Sequence, residues 1–198
     1  MGMTCWYVVY GDSNPAVQVR HPGPIDITAT DRLVHGLFGP REYLADTDLV
    51  AGADPRAGTV AAACFDELTI VAAEELVAAR PSAIDRKFLA AAGGRHTLLF
   101  AMHSVSGFGA FGWWDGDGNL IRSVSGDADC GFGENLGTPL PAEATVPVYE
   151  RVTGGEWPDL TELVEVALAA RLGFRYEGEV IAGAPDPQDI PLRRYSAG

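Results

Sequence analysis

The feature that most constrains the fold lies between His96 and Trp114. Two runs of strand-forming residues, His96 to Val105 and Phe108 to Trp114, are separated only by Ser106-Gly107. A two-residue turn there pairs Val105 with Phe108, His103 with Ala110 and Leu99 with Trp114. Side chains alternate across a strand, so Phe100, Met102, Phe111 and Trp113 gather on one face. His103, Ala101, Ala110, Gly112 and Trp114 gather on the other, a histidine and a tryptophan bordering a floor of small residues. Such a floor is either the seat of a packed helix or the bottom of a pocket.

The other elements follow from period and punctuation. Thr4 to Tyr10 reads as a buried strand closed by Gly11-Asp12-Ser13-Asn14-Pro15, with Asp12 a turn residue or a site carboxylate at the strand's end. Leu33, Val34, Leu37 and Phe38 have helical spacing, with Thr28 at the cap and Gly39-Pro40 at the stop. Tyr43 to Ala45, Thr59 to Phe65, Thr69 to Ala72 and residues 120 to 125 read as strands, while residues 73 to 79 fit either a strand or a helical turn. Ser82 opens a helix that runs to Ala92. The clearest helix is Leu160 to Leu172, with Asp159 and Glu162 as a capping pair and Gly173 at its exit. Strands outnumber helices and do not alternate with them. The expectation is α+β: a mixed, largely antiparallel sheet with about three helices packed on it. It forms a single compact domain over residues 1–182, followed by an extended, proline-rich tail over 183–198.

Charge narrows the partners. At 198 residues and a formal charge of −13, the chain repels phosphate backbones and anionic lipid surfaces, so nucleic acid and membrane are disfavoured. Cys5, Cys64 and Cys130 have neither zinc-ligand nor disulfide spacing, which implies no metal, no cofactor and a reduced, cytoplasmic protein. The apolar run Cys5 to Tyr10 is too short for a signal peptide or a membrane span, and Trp6 stands where myristoylation needs Ser or Thr.

Several motifs invite chemistry that their context withholds. Gly107-Phe-Gly109-Ala-Phe-Gly112 spells a dinucleotide fingerprint, but tryptophans and a turn follow where that motif needs a helix. The glycines read as clearance for neighbouring rings. Asp115-Gly-Asp117-Gly-Asn119 opens like a calcium loop, yet Leu120 and Gly126 fill two of its defining positions, so it is a hairpin turn. Ser104 faces away from His103 and lies in no nucleophile elbow. His103 is either a core histidine or a ligand-contacting, acid/base one. Asp127, Asp129, Cys130, Glu134 and Asn135 crowd one glycine-rich loop, either merely solvated or the rim of a polar site.

Trp6-Tyr-Val-Val-Tyr-Gly-Asp12, Ala101-Met-His-Ser-Val105, Glu134-Asn-Leu-Gly137 with Pro139-Leu-Pro141, and Leu172-Gly-Phe174 together resemble an uncharacterised domain family found in actinobacteria. The resemblance spans nearly the whole chain and implies one folded cytoplasmic domain. It assigns no catalytic residue.

Three functions compete. The leading one is a non-catalytic binding or regulatory domain that presents the His103 and Trp114 face, with Asp127, Glu134 and Asn135 beside it, to a protein segment or a small polar ligand. The second is a small-molecule hydrolase with His103 as acid or base and Glu134 or Asp12 as its carboxylate. The third is a self-associating structural protein, a homo-oligomer through the same surface. An enzyme needs His103 within hydrogen-bond reach of a carboxylate, whereas an interface needs only exposed aromatics.

Overall fold

A sheet whose strands alternate apolar side chains to both sides must be covered on both, and this chain does so with two separate cores. The structure is a computed structural model that describes residues 2–55, 58–77, 80–129, 131–150, 156–179 and 181–197. In chain order the elements are β1 (Thr4–Gly11), α1 (Ala16–Arg20), α2 (Ile27–Phe38), β2 (Tyr43–Asp48), α3 (Leu49–Gly52), β3 (Val60–Cys64) and β4 (Thr69–Ala73). Then come α4 (Arg86–Ala91), β5 (His96–His103), β6 (Phe108–Trp114), β7 (Leu120–Asp127) and β8 (Gly131–Gly137). The chain ends with β9 (Val148–Glu150), β10 (Glu156–Pro158), α5 (Leu160–Leu172) and β11 (Pro191–Tyr195). Among the described residues nine strands form one sheet in the order β2-β11-β3-β4-β1-β5-β6-β7-β8, and β9 and β10 pair separately.

The α+β class expected from the sequence is the class observed, with two refinements. Five α-helices stand among the described residues where about three were expected, because α1 and α3 are single turns too short to show a period. Every strand pair among the described residues is antiparallel, so the sheet is not mixed.

One core joins Cys5, Tyr7, Val9, Phe100, Met102 and Phe111 to α5 through Leu163, Val164, Ala167 and Leu168. The opposite core joins Val8, Tyr10, Leu99 and Trp114 to Val34 of α2 and Phe88 of α4. The face that carries His103 therefore lies on the α2–α4 side, away from α5.

Capping decides where the helices start. Asp159 Oδ1 accepts from the amides of Thr161 and Glu162, both at 3.0 Å, and Gly173 exits left-handed with φ 82°, so α5 begins and ends as the sequence predicts. α2 is capped two residues earlier than Thr28 implies, by Asp26 accepting from Ala29 N at 2.9 Å. α4 starts at Arg86 under Asp85, because Pro81 opens a separate 3-10 turn over Pro81–Ala83 that takes Ser82 out of the helix. The undecided stretch after β4 is another 3-10 turn, Glu74–Leu76; residues 78 and 79 lie outside the described residues.

Two segments differ from their sequence reading. The stretch from Gly183, read as an extended tail, carries a 3-10 turn at Pro187–Asp189 and ends in β11, inserted between β2 and β3 with Leu192 and Tyr195 buried. Its prolines hid it: Pro191 sits at the first position of the strand, where a missing amide costs least. Residues 131–137, read as a loop, form β8 on the sheet's edge. Glycine lowers strand propensity, but pairing with β7 overrides it.

Candidate functional site

The β5–β6 connection is two residues longer than a tight hairpin. Ser104–Ser106 make a 3-10 turn closed by Gly107 at φ 65°, and His103 pairs with Phe108 rather than Ala110. The register thus moves by two residues, which preserves parity: His103 and Trp114 do share a face. They do not share a pocket. Six residues separate His103 from Thr97, the partner of Trp114, or roughly 20 Å along the strand.

Trp114 is 2% exposed in the α2–α4 core. A Cβ at Gly112 would strike its ring, and a Cβ at Gly109 would strike the backbone of Leu160 at the head of α5. The first glycine clears an aromatic ring as expected, and the second clears a helix.

The concavity beside His103 is formed by another set. Trp6, Val77, His103, Ser106, Phe108, Asp127 and Asp129 line a cavity of about 470 Å³. β1 places Trp6 two residues along from Thr4, the partner of His103, so Trp6 and Phe108 meet at 5.7 Å between centroids, tilted by 41°. His103 is held by its own turn: its Nδ1 lies 2.9 Å from Ser106 Oγ and accepts the Ser106 amide at 3.3 Å. Asp127 ends β7, just past a register shift at Ser125/Gly126 of the kind that bends a strand's end. Its Oδ1 accepts from Asp129 N at 2.9 Å, which folds both carboxylates into the tip of the β7–β8 hairpin.

The remaining candidates go elsewhere. Glu134 sits on β8, three strands and roughly 14 Å from β5, and is engaged by the amide and hydroxyl of Ser82 and by the Ser123 hydroxyl. Burial alone would push its carboxyl up, but those hydrogen bonds outweigh it and hold it below the usual carboxylate range. It clasps the Pro81–Ala83 turn to the sheet. Asn135 points to the opposite face, where its Oδ1 accepts from Arg122 Nη1 at 2.7 Å. Asp12 lies beyond the Gly11–His96 pair, at the far end of the sheet from His103, and accepts from Gln18 at 2.7 Å. Glu134 and Asp12 are therefore not partners of His103, which corrects the catalytic pairing expected from the sequence. Cys130 lies outside the described residues.

The Asp115–Asn119 segment is a hairpin turn, its carboxylate filled by the amides of Asp117 and Asn119. Among the described residues no three His, Cys, Asp or Glu side chains stand together as metal ligands, and no helix is long and apolar enough to cross a membrane.

The sequence reading missed Trp6 and Phe108 as pocket walls. The signal was available: Trp6 alternates with Val8 and Tyr10, but a fully apolar run conceals which of its side chains reaches the sheet's rim.

Residues 4–195 match a domain family described as a family of unknown function, DUF6928. The chain belongs to that family. Neither curated proteins nor solved structures yield a match. The DUF6928 match begins at the first residue of β1 and ends at the last of β11, so it spans the whole nine-stranded sheet.

Two aromatic rings beside two carboxylates suit a cation. A guanidinium or ammonium group gains from the ring faces and from the negative charge at once. Acyl-transfer chemistry finds less support. Ser106 Oγ is near His103, but the two amides that would meet an oxyanion there are occupied, Ser106 N by His103 Nδ1 and Gly107 N by Ser104 O at 3.2 Å.

Proposed function

We propose that this protein is a binding domain that captures a cationic group, guanidinium or ammonium, of a small ligand or a protein segment in the Trp6–His103–Phe108 cavity. The observation that carries the reading is the convergence of a tilted Trp6–Phe108 pair with Asp127 and Asp129 around a single opening. The formal charge of −13 draws cations toward the whole surface, and the cavity supplies the selective seat. His103, fixed by Ser106, is a wall of that seat rather than a base. The two described thiols, Cys5 and Cys64, are free and buried, which suits a reducing cytoplasm.

The test is a calorimetric titration with N-acetyl-arginine amide against its uncharged relative N-acetyl-norleucine amide. The arginine compound binds and the norleucine compound does not, with affinity falling as salt is added. Trp6→Leu and Asp129→Asn each weaken the arginine compound about fivefold or more, in line with ~1 kcal/mol for a cation over an aromatic face. Equal affinity for the two compounds, or no loss in either variant, overturns the reading.

A further inference from the structure

At the opposite end of the same sheet face the chemistry reverses. The register aligns Cys64 of β3, Thr69 of β4, Tyr10 of β1 and Thr97 of β5 in one row across four strands. Three hydroxyls and a thiol thus form a polar strip, while the next row inward is Ala62, Val71, Val8 and Leu99. Above the strip, α2 and α4 diverge to leave a cleft of about 490 Å³.

Its lining includes Arg32, Lys87 and Arg95 together with Thr69, Cys64 and Leu33. That is three of the chain's 14 cationic residues, its single lysine among them. No carboxylate lines this cleft among the described residues; Asp26 and Asp66 flank an adjoining hollow on the Pro22–Ile25 side. In a protein with nearly twice as many acidic as basic residues, such a local excess of cations is an electrostatic feature of its own.

The groups are also poised. Arg95 donates Nε to Ala92 O at 3.0 Å and Nη1 to Thr69 Oγ1 at 3.1 Å, which fixes the guanidinium plane over the strip. Its guanidinium also stands 5.8 Å from the centre of the Tyr10 ring. The Tyr10 hydroxyl, in a side chain with no exposed surface, has no hydrogen-bond partner among the described residues. Tyr10 is not among the residues that line the cleft, so its hydroxyl belongs to the strip under it and not to the ligand's contacts. Lys87 lies over Phe38 and Phe88 and donates to Leu37 O at 3.3 Å, which aligns its charge at the cleft's α2 side.

We propose that this α2–α4 cleft is an anion site for a small organic phosphate, its oxyanion held by Arg32, Lys87 and Arg95 and its apolar body on Leu33 and the alanines of α4. Guanidinium forks match phosphate oxygens in pairs, and the apolar wall distinguishes an organic phosphate from the inorganic ion. The site is independent of the Trp6–His103 cavity and of the function assigned to it.

Hexyl phosphate, inorganic phosphate and hexyl glucoside serve as probes of the full-length protein by calorimetry, with iodoacetamide labelling of Cys64 as a second readout. Hexyl phosphate binds at least tenfold more tightly than inorganic phosphate or hexyl glucoside and slows Cys64 labelling severalfold. Arg32→Gln, on the exposed side of α2, weakens it about fivefold or more at an unchanged unfolding temperature. Arg95→Gln weakens it further; if that variant unfolds, the wild-type probe series and the Cys64 protection still decide. Hexyl glucoside binding as tightly as hexyl phosphate, no binding of hexyl phosphate at millimolar concentration, or Cys64 labelled at the same rate with and without it overturns the proposal.

Discussion

Arg122 meets Glu143 in a two-pronged ion pair, Nε to Oε1 at 2.9 Å and Nη2 to Oε2 at 2.6 Å, with the side chains 2% and 8% exposed. Nη1 of the same guanidinium donates to Asn135 Oδ1 at 2.7 Å and to Leu136 O at 2.9 Å. One buried cation thereby joins β7, the edge strand β8 and the 3-10 turn Pro141–Thr145. The pair also explains Asn135, whose amide serves this internal network and not a ligand.

Removing one partner strands the other charge out of water. Glu143→Ala is expected to cost about 3–5 kcal/mol in urea unfolding, whereas Arg122→Met combined with Glu143→Leu recovers most of that loss. If the double variant is no more stable than Glu143→Ala, the loss reflects packing and not an unpaired charge.

The apolar runs bounded by clear turn residues, β1 and β3 to β7, and the capped helix α5 were legible because local pattern and tertiary burial ask for the same residues. β8 and β11 were not, because their glycines and prolines argue against strands and only pairing with β7, β2 and β3 pays for them. The site was half legible. Parity placed His103 and Trp114 on one face, but loop length sets position along a strand, and the 3-10 turn at Ser104–Ser106 widened their offset from four positions to six. Trp6 and Phe108 meet only through the β1–β5–β6 pairing, a contact between residues about a hundred apart that no local pattern encodes.

Glu134 is a clasp, so its loss should appear in stability and local opening. Glu134→Gln and Ser82→Ala each destabilise by about 1–3 kcal/mol, and their effects do not add, because each breaks the same contact. Hydrogen exchange should speed up around Pro81–Ala83. Neither change alters binding of the arginine probe at the Trp6 cavity; a drop in that binding at unchanged stability would return Glu134 to the site.

Ala110 is fully buried, between Ala101 and Ser125 on the sheet. Ala110→Trp therefore overpacks this face of the sheet and costs ~3 kcal/mol or more. Asp117→Ala, in the exposed 115–119 turn, stays within about 0.5 kcal/mol of the parent. An Ala110→Trp protein as stable as the parent would show that this face has room the structure does not contain.

Glu165 gives the fold a pH dependence of its own. It is 3% exposed and accepts the amides of Tyr176 and Glu177, each at 3.0 Å, which fastens the segment after α5 beneath β1. Burial pushes its carboxyl up to about 7, against the pull of those two amides and of Arg175. A folded-state value above the unfolded one means that the protonated form is favoured by folding. The resulting stability is complete below the unfolded value, near 4.3, and is lost as pH rises through about 7. Unfolding free energy measured by urea is thus expected to fall between pH 5 and pH 8, by on the order of 2–3 kcal/mol from this one group. Glu165→Gln cannot ionise and keeps one carbonyl oxygen for the two amides, so its profile over the same range is flatter by that amount. Parallel profiles for the parent and Glu165→Gln would mean that the carboxyl stays ionised throughout, with the two amides outweighing burial.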